Sequence, residues 1–345
     1  DLDDSVRAVV PGLVGRGMKV VVLVSRAHGG VAPAWLDPGV RVRRRQSPSG
    51  FWLSLRAAYV FHTHGSYIAR GGVRRRLSIN LWHGMPVKKL GRAISQPGVD
   101  ADLTPATSER FADLLAEAFG MPREHVLVVG LPRNDILVGD DPRDREAARR
   151  ITGGTPFVVY LPTFRRSVQG ELRRDGDERF ASEADARRIA AAAAASGYRI
   201  VLKPHPMADR ADLGVWETLE GVDMIDDLTL GGNDTTLHGL LSQSAGLISD
   251  FSSVSVDYLV TGRPICLYVP DLDEYAGSRG LNFGVDELAQ IGTVTAGADG
   301  VAAWFTTLSG RVPLPLPADF YSAPPAGAAE RLLGCLPGLG HTQRS

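Results

Sequence analysis

Ser249-Asp250-Phe251-Ser252-Ser253-Val254 is the stretch from which the fold of this 345-residue chain is read. It follows the apolar run Ala245–Ile248 and precedes Val256-Asp257-Tyr258-Leu259. That order predicts a buried strand, a short polar turn and the start of a helix. A helix start carries unpaired backbone N–H groups and the positive end of the helix dipole, and two serine hydroxyls add further donors. Such a turn suits phosphate. Taken alone, Ser252 and Ser253 are more often just a helix cap, so the rest of the chain has to decide.

Outward from that stretch the same grammar recurs. Strand-like runs at Val20–Val24, Ala57–His62, Ser78–Trp82, His125–Val129, Phe157–Leu161, Arg199–Leu202, Gly246–Ser249 and Pro264–Val269 alternate with helical segments such as Glu109–Phe119 and Ala184–Ala195. The alternation predicts an α/β chain with parallel sheets covered by helices. Asp4–Gly15 reads as a helix and Met18–Ser25 as a strand. An open α/β sheet normally begins with a strand before such a helix, so a first strand is expected upstream, in a longer parent. Asp140–Gly154 combines Pro142, several charges and Gly153-Gly154 and reads as a boundary, with a short helix at Glu146–Ile151. The expected domains are residues 1–140 and 141–326, with a C-terminal helix and tail over 327–345. Two such domains facing a cleft would hold ligands at the carboxyl ends of their strands.

Composition is that of a soluble globular protein, with 44% hydrophobic and 22% charged residues. No apolar run reaches the ~18 residues of a membrane span. Cys266 and Cys335 lack metal-ligand spacing, and Cys266 reads as a core thiol. A net charge of −1 hides an asymmetry: residues 1–100 hold sixteen Lys/Arg against five Asp, and the rest hold 22 Lys/Arg against 34 Asp/Glu. Arg41, Arg43, Arg44, Arg45 and Arg74, Arg75, Arg76 carry much of the excess. Each cluster alone reads as solvated arginines on loops, but a half-chain of one sign implies a polyanionic partner or an anionic membrane surface. No nucleic-acid partner is expected.

Polar residues follow the strands repeatedly. Trp82-His83-Gly84-Met85-Pro86-Val87-Lys88-Lys89 puts an imidazole in a forced turn, where it is a candidate base, with Lys88 and Lys89 close behind. Lys203-Pro204-His205-Pro206 fixes a second imidazole between two prolines. Pro162-Thr163-Phe164-Arg165 offers a guanidinium to a phosphate. Leu131-Pro132-Arg133-Asn134-Asp135 follows another strand, and Asp250-Phe251-Ser252-Ser253 completes the set. Each segment alone also reads as a rigid structural turn. Together, at one topological position, they are the equipment for transferring a phosphoryl-linked or glycosyl group from a nucleotide donor. There is no Gly-rich loop ending in Gly-Lys-Ser/Thr, no Gly-x-Gly-x-x-Gly after a strand, and no Gly-x-Ser-x-Gly elbow. His62-Thr63-His64 lacks an obvious third metal ligand. No cofactor or metal is expected.

These segments, with Asp257-Tyr258, Arg263-Pro264 and Asp271-Leu272-Asp273-Glu274-Tyr275, resemble the CDP-glycerol glycerophosphotransferase family over about residues 4–305, in the family's order. This is the family of teichoic acid primases and polymerases and related capsule enzymes. The resemblance implies a GT-B architecture of two Rossmann-like domains facing a central cleft. It implies a first domain that faces the acceptor and membrane and a second that holds the CDP-alditol. It implies that His83 and His205 are the essential histidines and that Ser252 and Ser253 meet the donor diphosphate. Lys88, Lys89, Arg133, Arg165, Lys203 and Asp250 are the accompanying donor-site candidates. The expected enzyme moves glycerol phosphate, or another alditol phosphate, from a CDP-alditol to an anionic glycopolymer or lipid-linked acceptor and releases CMP. It is expected at the cytoplasmic face of the plasma membrane, as a peripheral protein. A glycosyltransferase using a nucleotide sugar and a non-catalytic module binding an anionic polymer are the alternatives. Where the family commonly has Thr, Trp and Tyr, this chain has Met85, Phe164 and Phe251. The family's Arg-Gly-aromatic-aromatic run is replaced by Arg279-Gly280-Leu281-Asn282-Phe283.

Overall fold

The computed structural model describes residues 3–25, 32–63, 76–162, 181–205, 210–250, 252–270, 281–310, 313 and 315–339. The chain forms two compact units, one of residues 1–139 with 316–345 and one of residues 140–315.

In the first unit, helix α1 (Asp4–Gly15) is capped by the Asp3 carboxylate, which accepts from the Val6 N–H at 2.9 Å. Strands β1 (Val21–Val24) and β2 (Arg41–Arg44) pair in parallel, with Val21 opposite Arg41. Helix α2 (Pro48–Arg56) follows β2 directly, its start capped by Ser47. Strands β3 (Tyr59–His62) and β4 (Leu77–Asn80) pair in parallel, as do β5 (Thr104–Ala106) and β6 (Val126–Val128). A bridge from Ile79 to Leu103 joins the two ladders. Helix α3 (Glu109–Phe119) lies between β5 and β6, and α4 (Asn134–Val138) follows β6. Val9 and Leu13 of α1 enter a core with Ile79, Leu81 and Val129, while Val10 turns to a second cluster with Val22, Val24 and Val40.

The C-terminal segment completes this unit. The expectation placed 316–326 with the second domain and treated 327–345 as a separate tail; the structure assigns Leu316–Ser345 to the first unit. The reason is long-range pairing that no local pattern announces. Thr107 Oγ1 and Ser108 Oγ donate to the carbonyls of Phe320 and Asp319, each at 2.7 Å. The helix Ala328–Gly334 buries Ala329, Leu332 and Leu333 in the core of α1 and β4. Asp135 caps its start, accepting from the Ala328 and Ala329 N–H groups at 2.8 and 2.9 Å.

The second unit opens with α5 (Pro142–Thr152), capped by Asp141, with proline in its first turn and Gly153 in the left-handed conformation at its end. The stretch read as a boundary with a six-residue helix is therefore a full eleven-residue helix. Its Asp-Pro start and Gly-Gly end are ordinary helix punctuation. Then follow β7 (Phe157–Leu161), α6 (Glu183–Ala195), β8 (Arg199–Leu202), α7 (Arg210–Glu217), β9 (Val222–Met224), α8 (Asp227–Gly232), α9 (Leu237–Leu241), β10 (Gly246–Ser249), α10 (Val254–Tyr258), β11 (Ile265–Tyr268) and β12 (Thr293–Thr295). All the strands pair in parallel in the order β12-β11-β10-β7-β8-β9. This is the doubly wound Rossmann order, and its direction of winding reverses between β7 and β10. β7 and β10 are buried along their whole length, as parallel strands covered on both faces must be. Ile189 and Ala193 of α6, Trp216, Val301 and Trp304 pack over the sheet.

Candidate active site

In the first unit, β4 ends at Asn80 and the chain turns at once. Asn80 Oδ1 accepts from the Trp82 N–H at 2.8 Å, an Asx turn that lets Trp82 hold a φ of +56°. Gly84 takes a φ of +125°, where a side chain would be strained. Met85 and Val87 are buried and anchor the far side of the turn. Met85 is thus a core residue. Between the anchors His83 is exposed. Its ring stacks on Trp82 with centroids 3.9 Å apart, and Trp82 meets Phe119 of α3 edge-on at 4.6 Å. His83 Nδ1 lies 3.2 Å from the carbonyl oxygen of Thr63, just beyond β3. A carbonyl only accepts, so Nδ1 is the donor and Nε2 carries the lone pair of the neutral ring. Of the expected cations, Lys88 is half-buried and Lys89 exposed in the same loop, and Arg133 is half-buried directly before α4.

In the second unit, the opening stretch sits at the point where the winding reverses. Ser249 Oγ donates to the Leu161 carbonyl at 2.8 Å, tying the carboxyl end of β10 to that of β7. Asp250 follows, buried. Ser253 is the residue before α10, but its side chain makes no capping bond, and Ser252 Oγ accepts from the Val254 N–H only at 3.4 Å. The serines are therefore poor caps, and α10 is a short turn of five residues. Because β8 pairs with β7, the segment Lys203-Pro204-His205 emerges next to the end of β7, two strands from β10. His205 is exposed at its end. Lys203 is not simply available to a ligand: its Nζ pairs with Asp227 Oδ1 at 3.1 Å. Arg165 and Phe251 lie outside the described residues, as do Phe164, Arg74, Arg75, His64 and the Asp271–Gly280 run.

Other motif residues are structural. Arg263 Nη1 donates to the carbonyls of Ser242 and Ser244 at 2.6 and 3.0 Å, closing the turn between α9 and β10. Tyr258 Oη bonds Ser244 Oγ at 2.8 Å, and burial pushes its phenol above the ordinary value. Asp257 is buried beside His238, with Nε2 and Oδ2 3.5 Å apart. His62, half of the His-x-His pair, contacts Ser78 Oγ through Nε2 at 3.0 Å. Among the described residues no group of three His, Cys, Asp or Glu is placed to hold a metal.

The arginines of 41–45 do not form a loop. Arg41–Arg44 are strand β2, a short edge strand whose charges protect it from pairing with another chain. Phe51 and Trp52 on the adjoining α2 are exposed at 48% and 58%. Arg56 stands over the Trp52 ring at 5.6 Å. Arg76 Nη1 reaches the Ser54 carbonyl at 3.4 Å. Sequence reasoning missed the aromatic pair, which has no periodic signal, and Asn80 and Thr63, whose relation to His83 is tertiary.

A family profile described as CDP-glycerol:poly(glycerophosphate) glycerophosphotransferase matches residues 15–303. The teichoic acid ribitol-phosphate primase of Bacillus spizizenii is 29% identical over 232 residues, covering 60% of this chain and 54% of the relative. The teichoic acid poly(glycerol phosphate) polymerase of Staphylococcus epidermidis is 27% identical over 233 residues, covering 59% of this chain but 30% of the relative. A solved structure of the wall teichoic acid polymerase TagF, soaked with CDPG, superposes with a TM-score of 0.68 at 20% identity, covering 90% of this chain and 77% of that one. The fold is the GT-B type that this likeness and the parallel α/β units share.

Proposed function

Since the chain belongs to the CDP-glycerol:poly(glycerophosphate) glycerophosphotransferase family, we propose that it moves an alditol phosphate from a CDP-alditol to a hydroxyl of a teichoic-acid-like or capsular polymer. Glycerol phosphate is the first candidate. The acceptor oxygen bonds to the β-phosphorus of the donor, the bond from that phosphorus to the bridging oxygen breaks, and CMP leaves. The hydroxyl proton passes to His83 Nε2. The observation that supports this assignment is the bond from His83 Nδ1 to the Thr63 carbonyl, which leaves Nε2 as the basic nitrogen. His205 stabilises the transferring phosphoryl group or the leaving phosphate. Ser252, Ser253 and Asp250 belong to the donor end, where the winding of the second sheet reverses. Lys88, Lys89, Arg133, Arg165 and Lys203 are assigned to charge neutralisation, Lys203 by exchanging Asp227 for phosphate. Phosphoryl transfer depends chiefly on positioning and charge, so no tightly bound metal is assigned and turnover is expected to survive EDTA.

The partner surface is an anionic membrane, at the cytoplasmic face of the plasma membrane. Supporting this are Arg41, Arg43, Arg44, Arg45 and Arg56 beside the exposed Phe51 and Trp52. Among the described residues none of these arginines has a carboxylate within ion-pair distance, whereas Arg16, Arg123, Arg143 and Arg199 do. Aromatic rings with uncompensated cations match the headgroup region of a bilayer. Among the described residues no helix is long and apolar enough to cross a membrane.

A donor screen tests the transfer. The chain is incubated with CDP-glycerol, CDP-ribitol and UDP-sugars in the presence of a phosphodiester acceptor, and acceptor mass and free nucleotide are read by mass spectrometry. Growth by alditol-phosphate increments, with one CMP for each, is expected. Growth by sugar increments with release of UDP would replace this reading by glycosyl transfer. Acceptor binding without turnover of any donor would leave a polymer-binding module.

A further inference from the structure

We propose that Asn80 is a positioning residue for His83, acting through the strained backbone and the ring of Trp82. The inference rests on the reading of His83 as the base. Asn80 is wholly buried. Its backbone is fixed on both sides by β5 and its approach: its N–H donates to the Leu103 carbonyl at 2.9 Å, and its carbonyl accepts from Thr104 Oγ1 at 2.8 Å. From that fixed point its Oδ1 accepts from the Trp82 N–H at 2.8 Å.

Trp82 has a φ of +56°, a region that bulky residues rarely adopt. The Asx turn gives the N–H of this conformation a partner. What the conformation achieves is the placement of the indole. The ring is backed by Phe119, 2% exposed on α3, and its other neighbour is the imidazole of His83 at 3.9 Å. The imidazole is thus supported by the indole and oriented by the Thr63 carbonyl. Asn80 Nδ2 meets no acceptor among the described residues. A buried amide with one unpaired end needs an explanation, and its Oδ1 bond to Trp82 supplies one. No side chain without an acceptor at that atom could hold the turn.

In water the Nε2–H tautomer of a neutral imidazole predominates, and a hydrogen bond to the other nitrogen reverses the preference. The tautomer of His83 therefore reports whether its support is intact. Two-bond ¹H–¹⁵N spectra of the whole chain, taken where the ring is neutral, are expected to show the Nδ1–H form of His83 in the unmodified protein. In Asn80→Ala the two tautomers are expected to mix. In parallel, kcat with CDP-glycerol is expected to fall about 10–100-fold with KM within about twofold, as for a group displaced by an ångström. In a His83→Ala background the same Asn80 substitution is expected to cost nothing further, because its effect passes through the missing ring.

Should Asn80→Ala lose its cooperative melt, Trp82→Gly carries the test. Glycine accepts the positive φ, so the turn keeps its path while the indole behind His83 is gone, and the same tautomer mixing and kcat loss are expected. A wild-type tautomer in a folded variant would overturn the proposal. So would an Asn80 loss repeated in full without His83. Tautomer mixing with unchanged turnover would leave the positioning role standing and remove His83 from the chemistry, so the two readings fail separately.

Discussion

Arg263 is a motif cation like Lys203 and Arg165, but it precedes β11 instead of following a strand, and its guanidinium is already engaged by the carbonyls of Ser242 and Ser244. A buried acceptor that loses its donor costs about 1–3 kcal/mol. Arg263→Ala is therefore expected to lower the denaturation midpoint while leaving the CDP-glycerol KM of the folded protein within about twofold. A large rise in KM with unchanged stability would move Arg263 into the donor site. His83→Ala is the opposite case. Its ring is exposed and its loss leaves the core untouched, so stability is expected to hold while turnover falls by about 10²–10⁴-fold, the usual worth of a positioned base. Near-normal CMP release from that variant would remove His83 from the reaction. The residue types and their strand-end positions were legible in the sequence. Which of them are engaged by backbone carbonyls was not, because those partners lie around twenty residues away along the chain.

Among the elements, the docking of the helix Ala328–Gly334 depends on one carboxylate. Burial pushes the Asp135 carboxyl above its ordinary value, opposed by the N–H groups of Ala329, Ala328 and Gly327 and by Arg331. A carboxyl raised in the folded state contributes stability that is full below the unfolded pKa, about 3.9, and is lost as pH rises through the folded value. Asp135→Asn places an NH₂ where one of two acceptors stood and does not titrate. It is expected to be about 1–2 kcal/mol less stable than the parent at neutral pH. The gap should widen as pH falls toward 4, measured by denaturant titration across that range. A gap that narrowed on acidification would mean that the Asp135 carboxyl is not raised in the folded protein. A second contact joins α2 to β2. A Cβ on Gly50 would collide with the carbonyl oxygens of Arg44 and Arg45. Gly50→Ala must therefore push α2 away from the arginine strand, at about 1–3 kcal/mol. The long alternating elements could be read from pattern alone. The strands β2, β5, β9 and β12 could not, because their sequences Arg41-Val42-Arg43-Arg44, Thr104-Pro105-Ala106, Val222-Asp223-Met224 and Thr293-Val294-Thr295 carry no apolar run, and their conformation is set by the strand beside each.

At the scale of the whole molecule, the charge asymmetry between the first hundred residues and the rest includes the exposed Arg41, Arg43 and Arg44 of β2, against which packs α2 with its exposed Phe51 and Trp52. Each arginine near an anionic bilayer is worth about 1 kcal/mol. Replacing Arg41, Arg43 and Arg44 by serine is thus expected to weaken binding to phosphatidylserine vesicles about 100-fold. Binding of the parent should weaken as salt shortens the screening length, and Trp52 fluorescence should shift to the blue on binding. Equal binding to neutral vesicles, or no change in the triple variant, would deny this surface a role. The chain's pattern was enough to establish two α/β units, parallel strands and the strand ends as the places to look, since apolar periodicity and turn chemistry act over a few neighbouring residues. The return of the C-terminal segment to the first unit, the reversal of winding between β7 and β10, and the support of His83 by Asn80, Trp82, Phe119 and Thr63 were decided only in the folded chain. Each is a contact between residues distant in sequence, formed because burial and hydrogen-bond satisfaction are settled by the whole unit at once.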